Sequence, residues 1–166
     1  MRVLGVDPGT ALTGYAVIEE EGHALRAHVI DVIRTEAHTP LPQRLRFIYH
    51  SLRTIIETYR PEAAAVEALF FSRNARTAMA VGQARGVVLL ALAEAGLPIA
   101  EYTPMVIKQT LTGYGGADKA QMQEMIRLLL DLPARPRPDD AADAAAVAIC
   151  YLHHAPVETW LTEGEA

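Results

Sequence analysis

The chain has 166 residues, of which 51% are apolar, 21% charged and 6% aromatic. Those proportions exclude a disordered or collagen-like polypeptide and point to one globular domain with a sizeable core. A net charge of −5 opposes uniform attraction to nucleic acid, and no apolar run reaches the roughly 18 residues of a bilayer span.

Met1 to Asp7 reads as a short buried strand, Gly14 to Glu19 as a second, and Ala24 to Thr35 as a third, enriched in the β-branched Val29, Ile30, Val32 and Ile33. Three strands in succession suggest an antiparallel meander, with Glu19, Glu20 and Glu21 in its turn. Thr39 is placed to cap a helix whose first residue is Pro40, and Leu41, Leu45, Ile48, Leu52, Ile55 and Tyr59 repeat at helical spacing. Ala63 to Leu69 follows as a fourth strand, which must lie beside an earlier one because a helix joins them. A long helix from Asn74 to Ala95 ends at Gly96, and Leu97 to Tyr102 makes a fifth strand. Short and longer helices over Pro104 to Leu111 and Ala117 to Leu130 flank the glycine-rich loop Thr112 to Gly116. The proline-rich stretch Pro133 to Pro138 stops the second of them, and Asp139 is placed to cap a last helix running to His154. The expectation is an α/β domain over residues 1–155, a five-stranded mixed sheet with helices on both faces, followed by a flexible tail over 156–166. With no basic and apolar leader before the first strand, a cytoplasmic protein with no membrane partner is expected.

Charge is unevenly distributed. From Pro42 to Gly86 seven arginines face three acids, and the two lysines of the chain, Lys108 and Lys119, both border the glycine-rich loop. The single cysteine, Cys150, cannot form an internal disulfide and reads as a small buried side chain.

Carboxylates stand in three places that ordinary surface does not explain. Asp7 ends the first strand at the sharp turn Pro8-Gly9-Thr10, and Glu67 lies at the end of the apolar run Ala63-Ala64-Ala65-Val66. Asp140 and Asp143 are three residues apart, on one face of the last helix at its positive end. Each feature alone has a bland reading as turn former, ion-pair partner or cap. If the first and fourth strands are neighbours and the last helix crosses their ends, the four carboxylates meet. Each unneutralised pair about 4 Å apart then costs roughly 4 kcal/mol at an effective dielectric of 20, so the cluster needs cations. Hard oxygen donors select Mg²⁺ or Mn²⁺, and the sequence has no Cys/His set at zinc spacing. Two such ions about 3.5 to 4 Å apart suit in-line displacement at phosphorus, which is phosphodiester hydrolysis.

These residues, read in order, resemble the RuvC family of bacterial Holliday-junction resolvases. The resemblance rests on Val3-Leu4-Gly5-Val6-Asp7-Pro8-Gly9-Thr10 with Thr13-Gly14-Tyr15, on Gly82-Gln83-Ala84-Arg85-Gly86, on Lys108-Gln109 with Gly113, Gly115, Ala117 and Lys119, and on Asp140-Ala-Ala-Asp143. It extends from Met1 to about Tyr151. The resemblance implies a ribonuclease H-like fold, a homodimer, Mg²⁺ dependence with two ions per active site, and paired cuts on opposed strands of a four-way DNA junction. It also implies a branch-migration motor as partner. Asp7, Glu67, Asp140 and Asp143 would be the catalytic and metal-binding carboxylates, with Lys108 and Lys119 as basic residues beside the scissile phosphate. Phe70 matches an aromatic that stacks on bases at the opened junction centre, and Arg73, Arg76 and Arg85 are expected to join it in contacting DNA. Ala68 departs from the pattern, standing where a polar residue such as Gln is expected. A related ribonuclease H-like nuclease acting on RNA or on other branched DNA is the alternative. The Asp-x-Gly-Thr turn also occurs in sugar-kinase and actin-type ATP-binding proteins, but those need two such lobes and this length supplies one.

Overall fold

The computed structural model describes residues 1–68 and 74–163. Strand β1 (Arg2–Asp7) is flanked by β2 (Leu12–Glu21) and β4 (Ala63–Glu67), with β3 (Ala24–Arg34) and β5 (Ile99–Tyr102) at the edges, in the order β3-β2-β1-β4-β5. The first three strands form the expected antiparallel meander, and β1, β4 and β5 run parallel. Register places Asp7 opposite Gly14, and Glu67 lies one residue past the β1–β4 pair Val6–Val66. Asp7 and Glu67 therefore leave the same end of two adjacent central strands.

Alternation along the central strands divides the core in two. Val3, Ala63 and Ala65 face α5 (Asp139–Glu163), with α3 (Pro104–Thr112) and α4 (Lys119–Leu129) in the same layer. Leu4, Val6, Ala64 and Val66 face α1 (Leu41–Tyr59) and α2 (Ala75–Glu94). Burying Leu4, Leu52, Leu92 or Ile149 completely contributes roughly 1.5 to 3 kcal/mol each relative to exposure.

Helix α5 approaches the sheet unusually closely because both sides are small. Its buried face is Ala141, Ala142, Ala144 to Ala148, Ile149 and Cys150. A Cβ on Gly5 would lie 2.0 Å from the Ala144 carbonyl oxygen, and one on Gly14 only 1.8 Å from that of Asp140. Only glycine admits a backbone at that distance, so β1 and β2 seat the first turns of α5 beside Asp7.

Several element ends differ from the sequence expectation. The first turn of α1 hangs on the Pro40 carbonyl, which accepts from the Gln43 and Arg44 N–H groups; Thr39 is one residue too early to cap it. The β2–β3 turn is Gly22-His23, with Gly22 at φ +63°, so the three glutamates stay in β2 and Glu19 pairs with Arg2 and His28. Strand β4 stops at Glu67, and β5 starts only after Pro98. Asp118 caps α4 through a capping box with Gln121, ahead of the helix start at Lys119. Asp139 is the first helical residue of α5, not its cap: Pro138 offers the carbonyl for the Ala141 and Ala142 N–H groups. Helix α5 continues past His154 to Glu163, through Pro156 and into the stretch expected to be a tail.

Helix α2 is 20 residues long and contains an 18-residue window of mean hydropathy 1.2, enough to cross a membrane by length and composition alone, which the sequence reading did not anticipate. Its apolar residues do not form a continuous run, since Arg76, Gln83 and Arg85 interrupt them. Arg85 pairs with Glu101 of β5, and the helix packs on the sheet through Ala84, Val88, Ala91 and Leu92.

Candidate active site

Carboxylate oxygens of Asp7, Glu67 and Asp143 lie within 4.8 Å of one another. Three elements far apart in sequence supply them: the end of β1, the end of β4 and the second turn of α5. All three side chains are half-buried, and the environment opposes their ionisation. Burial and the neighbouring charges of Glu67, Asp143 and Asp140 push the Asp7 carboxyl up to about 9, and Asp7 and Glu67 share a hydrogen bond. Glu67 is raised by burial and by Asp143, against the opposing pull of Lys119 and Lys108. Asp143 is also raised, chiefly by burial. Such a set holds together either by taking up protons or by receiving a cation. Its donors are all hard oxygens, and their mutual repulsion is what a divalent ion relieves, so these residues fit the metal site anticipated from the sequence.

Asp140 stands outside that trio. Its carbonyl meets β2 at Gly14, and its charge bears on Asp7, Asp143 and Lys119.

A cleft of about 180 Å³ opens beside the trio and is lined by Glu67 and Asp143 together with Lys108 and Lys119. Pro104, Ile107, Met122 and Ala146 complete its wall. Lys108 comes from α3 and Lys119 from the first turn of α4, so the glycine-rich loop between those helices spaces the two cations. The Lys119 ammonium donates to Asp139 Oδ2 at 3.0 Å, which raises the lysine and lowers Asp139. Gln123, one turn along α4, donates to the other oxygen of Asp139 at 2.9 Å. Reading Asp139 as a cap missed this arrangement; the i, i+4 spacing of Lys119 and Gln123 was the available signal.

The remaining expected contacts separate. Arg76 is exposed at the start of α2, next to the Asn74 cap. Arg85 is only 13% exposed and is bound to Glu101, so it ties α2 to β5. Phe70 and Arg73 lie outside the described residues. Cys150 is fully buried beside Thr110 and His154, as its surroundings in the sequence suggested.

A family model described as crossover junction endodeoxyribonuclease RuvC matches residues 3–151. The crossover junction endodeoxyribonuclease RuvC of Roseiflexus sp. is 56% identical over 98% of this chain and 97% of its own. That of Chloroflexus aggregans is 57% identical over 94% and 95% respectively. Among solved structures, Thermus thermophilus RuvC in complex with a Holliday junction substrate superposes with a TM-score of 0.91 at 38% identity, over 96% of this chain and 97% of that one. The yeast mitochondrial Holliday junction resolvase Ydc2 shares the fold, with a TM-score of 0.64 at 18% identity over 96% of this chain and 82% of that one. The mixed five-stranded sheet, the converging acids and these relatives together establish that the chain belongs to the RuvC family of crossover junction endodeoxyribonucleases.

Proposed function

We propose that this protein resolves Holliday junctions in homologous recombination and DNA repair by hydrolysing phosphodiester bonds on two opposed strands. The observation that carries this reading is the convergence of Asp7, Glu67 and Asp143 beside a two-lysine cleft. Asp7, Glu67, Asp140 and Asp143 would hold a pair of Mg²⁺ ions. When bound, the metal supplies Lewis-acid polarisation of the phosphate and an acidified water. In the hydrolysis, a water oxygen adds to phosphorus as the bond from phosphorus to the leaving sugar oxygen breaks. Lys108 and Lys119 hold the scissile phosphate and offset its growing charge, and Asp139 keeps the Lys119 ammonium at the cleft. Phe70, Arg73 and Arg76 are proposed to contact the junction around its centre.

A homodimer presents two equivalent sites to a junction of approximate two-fold symmetry. Helix α2 offers a surface for it: Met79, Gly82, Gly86 and Leu90 fall on one stripe, opposite the buried Ala84, Val88 and Leu92. Met79 and Leu90 are 66% and 53% exposed, and among the described residues nothing lies within 4 Å of a Cβ placed on Gly82 or Gly86. The protein is proposed to act in the cytoplasm, receiving junctions from a branch-migration motor. Cleavage of a synthetic mobile four-way junction, with and without Mg²⁺, tests the reading beside a plain duplex and an RNA–DNA hybrid. Asp7→Asn and Glu67→Gln should bind the junction and lose cleavage by orders of magnitude. Full cleavage by either variant, or preference for the hybrid, would overturn it.

A further inference from the structure

The strand ends that carry Asp7 and Glu67 also carry the end of β3. Arg34, its last residue, pairs across the sheet with Leu12, two residues before the Gly14 that faces Asp7. Two strand spacings, about 10 Å, separate β3 from β1. Just beyond β3, Thr35 donates its hydroxyl to the Thr10 carbonyl at 2.6 Å and its N–H to that of Ala11 at 3.0 Å. It is thus anchored to the turn that follows Asp7. The same hydroxyl accepts from Arg44 Nε, in the first turn of α1, at 2.8 Å.

Arg44 is therefore a half-buried guanidinium held by a neutral oxygen at the catalytic end of the sheet. Among the described residues no carboxylate pairs with it, and exposed Glu36, the nearest acid in sequence, forms no ion pair either. A guanidinium fixed through Nε keeps its terminal nitrogens for a planar, bidentate anion, and little rotamer entropy remains to be lost on binding. Lys108 and Lys119 line the cleft with Glu67 and Asp143, and β4, which carries Glu67, lies on the opposite side of β1 from β3.

We propose that Arg44, oriented by Thr35 and accompanied by exposed Arg34, binds a backbone phosphate flanking the scissile one, so that the DNA strand crosses the end of the sheet between two basic banks. This inference rests on the nuclease reading and extends it to a side of the site that the family motifs leave unassigned.

The test measures junction affinity against salt concentration in an Asp7→Asn background, where the substrate persists. Arg44→Ala should weaken binding about tenfold and reduce the slope of log K against log salt by about one. Arg44→Lys should restore the slope but only part of the affinity, and Thr35→Val should cost about threefold with the slope kept. Arg60→Ala, the same charge change at the opposite end of the sheet, serves as control and should leave both quantities unchanged. If Arg44→Ala, folded by circular dichroism, matches the Arg60 control in slope and affinity, the inference is wrong. If the Asp7→Asn parent itself fails to bind the junction, the nuclease reading falls first and takes the inference with it.

Discussion

Asp7 binds its proton far more tightly in the native protein than in the unfolded chain, because burial and three neighbouring carboxylates oppose its charge. Between the ordinary value of 3.8 and the native value of about 9, the folded state holds a proton that the unfolded state has released. Stability without metal therefore falls as pH rises through that window. Asp7→Asn should flatten this slope and raise the metal-free melting temperature at pH 8, by about 2 to 4 °C for each kcal/mol relieved at this chain length. Scanning calorimetry at pH 5 and pH 8 checks it; equal slopes for both proteins would contradict the account. Since a divalent ion competes with the same protons, Mg²⁺ should raise the melting temperature more at pH 8 than at pH 5. Asp7, Glu67 and Asp143 were legible in the sequence because a turn, a strand end and a helix start each place a carboxylate oddly. The engagements of Asp139 with Lys119 and of Arg85 with Glu101 were not, since their partners come from other elements.

At the scale of elements, the contact of α5 with β1 and β2 determines whether the acids meet. Gly14→Ala places a methyl 1.8 Å from the Asp140 carbonyl, so the first turn of α5 must lift. Overpacking of that kind costs about 1 to 3 kcal/mol, and the displaced Asp140 and Asp143 should reduce junction cleavage at saturating substrate at least a hundredfold. Ile149→Ala on the same helix, fully buried but remote from the acids, should cost about 2 to 5 kcal/mol in chemical denaturation while the folded protein retains its turnover. Comparing the two variants separates seating of the site from general stability, and a fully active Gly14→Ala would break the link. The helices and their order were readable from periodicity and from the proline and glycine signals. Their ends were less so: the Pro40 carbonyl, the Asp118 capping box and the Pro138 carbonyl settle them through hydrogen bonds that residue type alone does not specify.

Across the whole molecule, a net charge of −5 coexists with a cleft in which the only two lysines of the chain, Lys108 and Lys119, face the acids Glu67 and Asp143. The stripe on α2 predicts assembly: a Met79→Asp and Leu90→Asp double variant should sediment as a monomer, keep its helical circular dichroism, and lose the concentration dependence of its melting temperature. It should also lose paired incision of a junction while nicking persists. A double variant that stays dimeric would move the interface elsewhere. The sequence by itself determined the alternation of buried strands and amphipathic helices, and the kinds of residue available for the chemistry, because both follow from local periodicity and side-chain type. Only the tertiary structure decided that β1 and β4 are adjacent, that α5 lies against Gly5 and Gly14, and which of the acids share one space. Those outcomes depend on packing between segments distant along the chain, where the volume of a single methyl group sets the distance between charges.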